Sequence, residues 1–367
     1  MPLTKLQFRP GINRDVTSYS NEGGWVDSDK VRFRLGFPEK IGGWVKYSSN
    51  IFQGTCRALH TWVTLSGTQY LGLGTHLKYY LEIGQSFSDI TPIRKTSTNT
   101  ITFAATDGSS TITVTDSSNG SVVNDFVTFS GAVSLGGLVT AAVLNQEYQI
   151  IGVTSANVYT IVAKDTDGVT VTANSSDSGN GGSGVDGAYQ LNVGLDTEVG
   201  GTGWGAGTWG RSTWGSSADI TSTTELRLWS HDNFGEDLLI NPRDGGVYYW
   251  DASVSNAFTT RAVDLVDISG ASDVPTVAKQ IMVSDNSRHV IAFGANTINT
   301  AVQDSLLIRF SDQESFLDWT PKATNSAGDL RIGSGSNFVR AIETKREILI
   351  WTNSSLQTMQ YLGPPFV

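Results

Sequence analysis

Residues 226–251 read LRLWSHDNFGEDLLINPRDGGVYYWD, and this stretch decides the fold. It contains three short runs rich in apolar, β-branched and aromatic residues, at 226–230, 237–241 and 246–251. Turn-forming residues separate the runs, most clearly Asp-Gly-Gly at 244–246, directly before Val-Tyr-Tyr-Trp-Asp. Short amphipathic runs with such turns between them are typical of antiparallel strands. The stretch therefore predicts a meander of three strands.

The same rhythm recurs along the chain. An earlier round has strand patterns at 57–65, 69–74 and 76–83, followed by a loop and a strand-like 90–93. Meanders at this spacing are typical of propeller blades, and the loose period predicts a degenerate repeat of about four blades. Four blades is the lower limit for closing a propeller ring. In an unclosed ring, the exposed strand edges must be covered either by further residues of a longer polypeptide or by other chains, and we favour the first. Later strands are predicted at 281–284, 289–294, 305–311, 337–343, 347–352 and 355–363.

Composition supports an all-β chain and limits its partners. Of 367 residues, 40 are Gly and only 16% are charged, and no long stretch has the 3.6-residue period of a helix. The net charge of −10 argues against gripping nucleic acid by counterion release. It is compatible with a wall that DNA slides past, or simply with solubility. No signal-peptide pattern or membrane span is evident, so we expect synthesis in a cytoplasm.

We predict five regions. Residues 1–50 form an irregular N-terminal arm with one strand at 31–35, and the arm needs a neighbour to pack against. Residues 96–194 lose Trp and gain Thr, Ser, Val and Gly, which predicts a small β-sandwich or barrel inserted into the blade pattern. The others are a first blade region at 51–95, a Gly/Trp-rich connector at 195–223 and further blades at 224–367. Strands predicted in the insertion are 112–115, 126–129, 147–153, 158–163, 169–173 and 189–193.

The sequence contains no strong motif for catalysis or for binding a metal or cofactor. Cys56 is the single cysteine, and we expect it to be a small buried apolar residue. None of the four histidines has a second His or Cys at zinc-ligand spacing, and no G-x-S-x-G, H-E-x-x-H or P-loop occurs. The sequence therefore predicts no catalytic, cofactor-binding or metal-binding residue and no cofactor. The histidines are His60, His76, His231 and His289.

Four partial motifs have simpler interpretations. Gly205–Gly210 fits G-x-G-x-x-G, but no helix pattern follows it. Residues 165–168 resemble a calcium turn without its further acidic ligands, so a plain β-turn is expected. The acidic stretch 231–237 is predicted to be a solvated loop. Residues 309–319 resemble the Asp-box of sialidase-type propellers but carry Gln313 and Ser315 at its Asp and Gly positions, so Trp319 is interpreted as an indole that closes a blade.

Several stretches resemble tail proteins of short-tailed bacteriophages. The opening 1–15, with Val-Arg-Phe-Arg at 31–34 and Gly-Phe-Pro-Glu-Lys at 36–40, is similar to the start of phage virion structural proteins. The inserted domain resembles a β-module of such proteins, with Asp-Phe-Val-Thr-Phe-Ser-Gly-Ala at 125–132 as its core. Further similar stretches are 42–44, 232–238, 248–251, 309–314 and 318–321.

The resemblance points to tail nozzle, or packaged-DNA stabilisation, proteins. It implies a non-enzymatic propeller subunit in a hexameric ring below the portal and adaptor. That ring contacts other tail or fibre proteins, lines the DNA exit channel without sequence-specific binding, and retains the genome until ejection. The short C-terminal part departs from this family, whose members complete the propeller.

Two alternatives stay open at this point. A carbohydrate-binding or glycan-degrading propeller for host attachment would use exposed aromatics at Trp204, Trp209 and Trp214 and carboxylates at Glu236 or Asp237. An accessory fibre-anchor or decoration protein is the other.

Overall fold

The computed structural model describes residues 9–43, 45–178, 181–192, 226 and 228–363. The chain divides into two compact units, Met1–Ser49 and Asn50–Val367. In the described residues, regular structure is almost entirely antiparallel strand, with one four-residue α-helix and two short 3-10 helices. None of the helices in this part of the chain is long and apolar enough to cross a membrane.

The first unit contains one β-hairpin. Strands β1 (Val31–Arg34) and β2 (Phe37–Lys40) pair antiparallel, which confirms the predicted strand. Leu35 and Gly36 form the two-residue turn, and both have positive φ, as a tight hairpin turn requires. The unit exposes several large apolar side chains, among them Tyr19 at 94% and Leu35 at 91%.

The second unit begins with a four-stranded meander, blade 1. The histidine and lysine of the predicted strand 76–83 lie in the turn instead, because the Thr75 hydroxyl accepts bonds from the Leu77 and Lys78 amides. The predicted loop after that strand contains the fourth strand, and 90–93 is not a single strand. Blade 1 consists of β3 (Cys56–Val63), β4 (Gln69–Thr75), β5 (Tyr79–Ile83) and β6 (Ser86–Asp89).

The inserted region folds as a β-sandwich. Two four-stranded sheets, in the orders β11-β10-β14-β7 and β12-β13-β9-β8, pack around one apolar core. The strands are β7 (Ile93–Ser97), β8 (Thr102–Ala105), β9 (Thr111–Thr115), β10 (Phe126–Ser130), β11 (Glu147–Gln149), β12 (Gly152–Ser155), β13 (Val158–Val162) and β14 (Asp186–Gln190), with helix α1 (Ala141–Leu144) before β11.

Three sequence predictions in the insertion are corrected. The run 147–153 is two strands, since the chain crosses from one sheet to the other between β11 and β12. Residues 169–173 form no strand, although an isolated bridge joins Thr170 to Lys164. The last strand begins earlier than predicted, at Asp186. No closed barrel forms among the described strands.

Three further blades follow. Blade 2 and blade 3 are four-stranded meanders, and blade 4 has three described strands. Blade 2 contains β15 (Trp229–Phe234), β16 (Asp237–Pro242), β17 (Tyr248–Trp250) and β18 (Val263–Asp264), with 3-10 turns at Ala257–Thr259 and Leu265–Asp267. Blade 3 contains β19 (Gln280–Val283), β20 (Val290–Phe293), β21 (Leu307–Phe310) and β22 (Gly328–Arg331). Blade 4 contains β23 (Phe338–Glu343), β24 (Ile348–Thr352) and β25 (Leu356–Met359).

The blades pack face to face in the order of the chain. We call the face of a blade that meets the following blade its forward face, and the opposite face its rear face. Blades 1 and 2 share one apolar core, blades 2 and 3 a second, and blades 3 and 4 a third. In each of these contacts a forward face meets a rear face. The all-β fold with propeller-like blades is therefore confirmed.

Polar side chains of first strands reinforce two of these contacts. On the forward face of blade 2, the Ser230 hydroxyl accepts the Ile281 amide at 3.0 Å, and the Asp232 carboxylate accepts the Val283 amide at 2.8 Å. On the forward face of blade 3, the Gln280 amide group bonds both the N–H and the C=O of Ala341. In both blades, polar side chains of the first strand thus bond backbone groups of the next first strand.

Candidate functional site

The two ends of the row of blades are open apolar surfaces. On the rear face of blade 1, Leu59 is 60% exposed and Val63 62%. Thr61 lies exposed between them on β3, and the half-buried Leu71 lies beside it on β4. The outer part of this face is covered by Phe52, which packs on Tyr80 and Phe87.

At the other end, the forward face of blade 4 is equally uncovered. Ile342 and Leu356 are 49% and 53% exposed, and Leu349 and Trp351 are half-buried between them. Pairing places these side chains on one face, since Ile342 lies opposite Leu349, and Trp351 opposite Leu356. Contiguous exposed apolar surface of this kind marks interaction sites.

A buried ionic cluster joins the sandwich to the blades. The Lys78 side chain of blade 1 is 3% exposed, and its Nζ lies 2.9 Å from the Asp89 carboxylate and 2.5 Å from the Glu147 carboxylate of the sandwich. Arg261, just before β18 of blade 2, lies 3.2 Å from Asp89. The Gln190 amide group of β14 donates to both carboxylates.

Electrostatics favour the charged form of Asp89 in this cluster. Burial raises the pKa of Asp89, but the Lys78 ammonium and the Arg261 guanidinium outweigh it and hold the pKa below its ordinary value. Lys78 also lies over the Phe126 ring of the sandwich, with Nζ 4.3 Å from the ring centroid. The cluster fixes the sandwich to blades 1 and 2 at one point. No local sequence motif marks it, because its members are contributed by strands far apart in the chain.

Two of the four histidines contact each other between blades 1 and 2. The rings of His60 on β3 and His231 on β15 lie 4.8 Å apart, and His60 Nε2 is 2.5 Å from the Asn233 side-chain oxygen. His231 Nδ1 lies 2.9 Å from the Tyr79 hydroxyl. Burial raises the pKa of the Tyr79 hydroxyl. Burial, and then the neighbouring His60, lower the pKa of His231 to about 3.

This neutral histidine predicts acid sensitivity. The folded-state pKa of His231 lies below its ordinary value of 6.5, so the unfolded chain binds the proton more tightly. The stability it contributes is complete above pH 6.5 and is lost as the pH falls towards 3. We expect a loss of about 2 kcal/mol from His231 between pH 7 and pH 5. Urea unfolding at both pH values should show a smaller loss for His231→Gln than for the wild type, and equal losses would contradict this.

The acidic stretch 231–237 is not the predicted solvated loop. Its residues form the end of β15, a tight turn and the start of β16. The Glu236 carboxylate accepts the Leu65 amide, and its carbonyl accepts the Trp62 indole N–H, so Glu236 links blade 2 to blade 1. The Asp237 carboxylate accepts the Tyr249 hydroxyl at 2.6 Å and the Ala252 amide at 2.9 Å. Both carboxylates therefore bond other groups of the fold.

The other two histidines have separate hydrogen-bond partners, and His76 lies next to the strand that carries Cys56. His76 Nδ1 accepts the Thr55 amide at 2.9 Å. His289 Nε2 lies 3.0 Å from the Ser326 hydroxyl, at the wall of a cavity of about 300 Å³ between blades 3 and 4. The prediction that Cys56 is buried is wrong: it is exposed, because β3 is the open first strand of blade 1.

No metal site emerges from the residues that the structure describes, since no group of three or more His, Cys, Asp or Glu side chains is close enough to hold an ion. Residues 165–168 form the expected plain turn. The Asp165 carbonyl accepts the Gly168 amide, and its carboxylate accepts the Asp167 and Val169 amides. Gly205–Gly210 and the tryptophans at 204, 209 and 214 lie outside the described residues.

The Asp-box-like segment links β21 to β22 and builds a turn around Asp312. The Asp312 carboxylate accepts the Gln313 and Ser326 amides at 2.9 Å each, although the box consensus has its Asp one position later. Trp319 is 1% exposed, and its indole N–H donates to the Phe316 carbonyl at 2.9 Å. The indole lies in the core shared by blades 2 and 3, as expected of a residue that closes a blade.

Comparisons with known proteins add little to this geometry. No family model matches the chain, and no curated protein matches it. Among solved structures, the chain is similar to the phage phi92 endosialidase at 12% sequence identity and a TM-score of 0.23. The match covers 86% of this chain and 43% of that protein, so the chain spans less than half of its length. A likeness at this TM-score carries no argument about fold or function. The chain's own structure defines the class: an all-β protein of propeller-like blades with a sandwich inserted.

Proposed function

We propose that this chain is a non-enzymatic structural subunit of a bacteriophage tail that works by association. The observation that carries the proposal is the open row of blades, with uncovered apolar surface at both ends. Uncovered apolar sheet faces call for partner surfaces rather than for a substrate. The assignment to a phage tail rests on the resemblance of stretches within 1–44, 125–132 and 232–321 to phage virion proteins.

Within the tail, we propose the nozzle position. The subunit belongs to a ring of sister copies, six by family resemblance, below the portal and adaptor. The net charge of −10 supports a lumen that repels phosphate, so DNA passes without sticking. The polar clusters support a static role, because Lys78, Asp89, Glu236 and Asp237 all bond groups within the fold. A glycan-degrading role gains no support from the described residues, since Glu236 and Asp237 are engaged in these bonds.

The test is localisation in virions of the phage that encodes the chain. We expect mass spectrometry of purified particles to detect the protein, and a cryo-EM reconstruction to place it on the tail axis below the portal. Particles made without it should contain genomes that DNase can digest, because packaged DNA is no longer retained. Absence from purified virions, or density only on peripheral fibres, would reject the nozzle proposal.

A further inference from the structure

We infer that the cavity between blades 3 and 4 is a binding site for a neutral sugar. The cavity has a volume of about 300 Å³, which lies at the lower end of the range for small-molecule sites. It is lined by the turn between β19 and β20, by the turn between β23 and β24, and by the residues that end and follow β25. A ligand site at this place is additional to the structural role proposed above.

Hydrogen bonds within the fold hold the two turns in position. The Glu343 carboxylate of blade 4 accepts the Asp285 amide at 3.0 Å and the Ser284 hydroxyl at 3.2 Å, so it ties the end of β23 to the turn of blade 3. The turn of blade 4 is closed by its own backbone, since the Thr344 amide donates to the Glu347 carbonyl at 2.9 Å. The walls of the cavity are therefore preformed, which lowers the cost of ordering them around a ligand.

The inner surface of the cavity is apolar and aromatic. The Tyr361 ring forms part of the wall, with its centroid 5.2 Å from that of the His289 ring. Burial lowers the pKa of His289, so its ring is uncharged at neutral pH. A ligand that fills the cavity must present an apolar face to this surface. The apolar floor consists of Ile291, Phe310, Ile348 and Met359.

Polar side chains around this floor have hydrogen-bonding capacity that the fold leaves unused. Ser287 is 3% exposed, and its hydroxyl bonds no other residue in the part of the chain that the structure describes. The Glu347 carboxylate and the Tyr361 hydroxyl, both on half-buried side chains, are equally without a bond to a described residue. At the mouth of the cavity, the same is true of the exposed Asn286 and Arg346. Because buried polar groups in folded proteins have partners, this set calls for a partner inside the cavity.

The mixture of groups indicates the class of ligand. Carboxylates accept hydrogen bonds, a guanidinium donates them, and hydroxyls and amides do both. A ligand that satisfies all of them needs several groups that each donate and accept, as hydroxyls do. Glu343 and Glu347 outnumber Arg346, so the cavity disfavours an anion such as phosphate. A neutral sugar ring meets these requirements, because it combines a face of C–H groups with a rim of hydroxyls.

The experiment is a ligand-observed NMR titration of the full chain. The probes are methyl α-D-glucopyranoside, methyl β-D-galactopyranoside and N-acetylglucosamine, with phosphate and phenol as counter-probes. We expect at least one sugar to bind with a Kd in the millimolar range, as ligands of few atoms do, and both counter-probes to bind more weakly. Maltotriose distinguishes the source of the sugar: binding indicates a unit within a glycan chain, and exclusion indicates a free sugar.

Two variants locate the bound sugar. Ser287→Ala removes a hydroxyl that bonds no described residue, so it should weaken sugar binding about tenfold and leave the urea midpoint unchanged. Tyr361→Ala removes part of the aromatic wall and should weaken binding at least as much. The matched controls should keep the wild-type sugar affinity. They are Ser97→Ala, at a buried serine of the sandwich that donates to Asp116 at 2.6 Å, and Tyr19→Ala, at a tyrosine that is 94% exposed.

Three results would overturn the inference. They are the absence of binding by every sugar probe, tighter binding of phosphate or phenol than of any sugar, and wild-type affinity in both Ser287→Ala and Tyr361→Ala. Circular dichroism verifies that each variant is folded. None of these results depends on where the chain lies in a virion, so the sugar site and the proposed function are tested separately.

Discussion

Lys78→Met is expected to lower the free energy of unfolding by about 3–5 kcal/mol, the usual cost of removing one partner of a buried ion pair. The substitution removes the ammonium that contacts both Asp89 and Glu147 and leaves the two carboxylates next to Arg261. Buried charges without compensation are far costlier than the packing that methionine retains. Urea unfolding followed by tryptophan fluorescence measures the change.

The control for this prediction is Lys322→Met. Lys322 forms an ion pair with Asp318 at 2.9 Å, but its side chain is 48% exposed, so we expect a loss of only about 0–1 kcal/mol. Adding Asp89→Asn and Glu147→Gln to Lys78→Met should recover part of the lost stability, because the uncompensated charges disappear. Equal effects of Lys78→Met and Lys322→Met would show that the cluster does not hold the sandwich on the blades.

Trp319→Ala is the second large effect, with an expected loss of about 3–5 kcal/mol. The indole is buried in the core between blades 2 and 3, so truncation leaves a cavity as well as an unmade hydrogen bond to the Phe316 carbonyl. Trp319→Phe keeps part of the volume and should lose less. Thermal unfolding by calorimetry reports the difference.

An exposed aromatic serves as the matched control. Phe37 is 74% exposed on β2, and Phe37→Ala should change stability by no more than about 0.5 kcal/mol. If Trp319→Ala were as mild as Phe37→Ala, the interpretation of Trp319 as the residue that closes this pair of blades would be wrong.

Sequence reasoning found most inner strands of the blades and missed the outer ones. The run predicted at 226–230 overlaps its strand, Trp229–Phe234, only at its last two residues. The run at 237–241 is strongly apolar because its strand is packed between blades 1 and 3, and the run at 347–352 is apolar because its strand packs one face against blade 3. The outer strands β6, β18 and β22 read SFSD, VD and GDLR, which no alternation of apolar residues distinguishes from a loop. Such strands form because the preceding strand offers unpaired backbone groups, which is a property of the sheet.

The candidate functional residues likewise include some that the sequence placed correctly and some that it did not. Trp319 was found because a lone tryptophan after a turn of this kind needs a core to enter. Cys56 was predicted to be buried from the habits of its residue type, but β3 is the first strand of an end blade and has no blade behind it. The acidic stretch 231–237 was assigned to a loop from its polarity, although Asp232 bonds the backbone of blade 3.

The amino-acid sequence by itself determined that this protein is an all-β chain of short meanders interrupted by a compositionally different β-domain. Those properties are local, because apolar periodicity and turn residues act within a few positions. Only the tertiary structure decided which side chains meet: Lys78 with Asp89, Glu147 and Arg261, and His60 with His231. It also decided which sheet faces stay uncovered, since burial depends on the order in which distant blades pack and not on any one strand's own pattern.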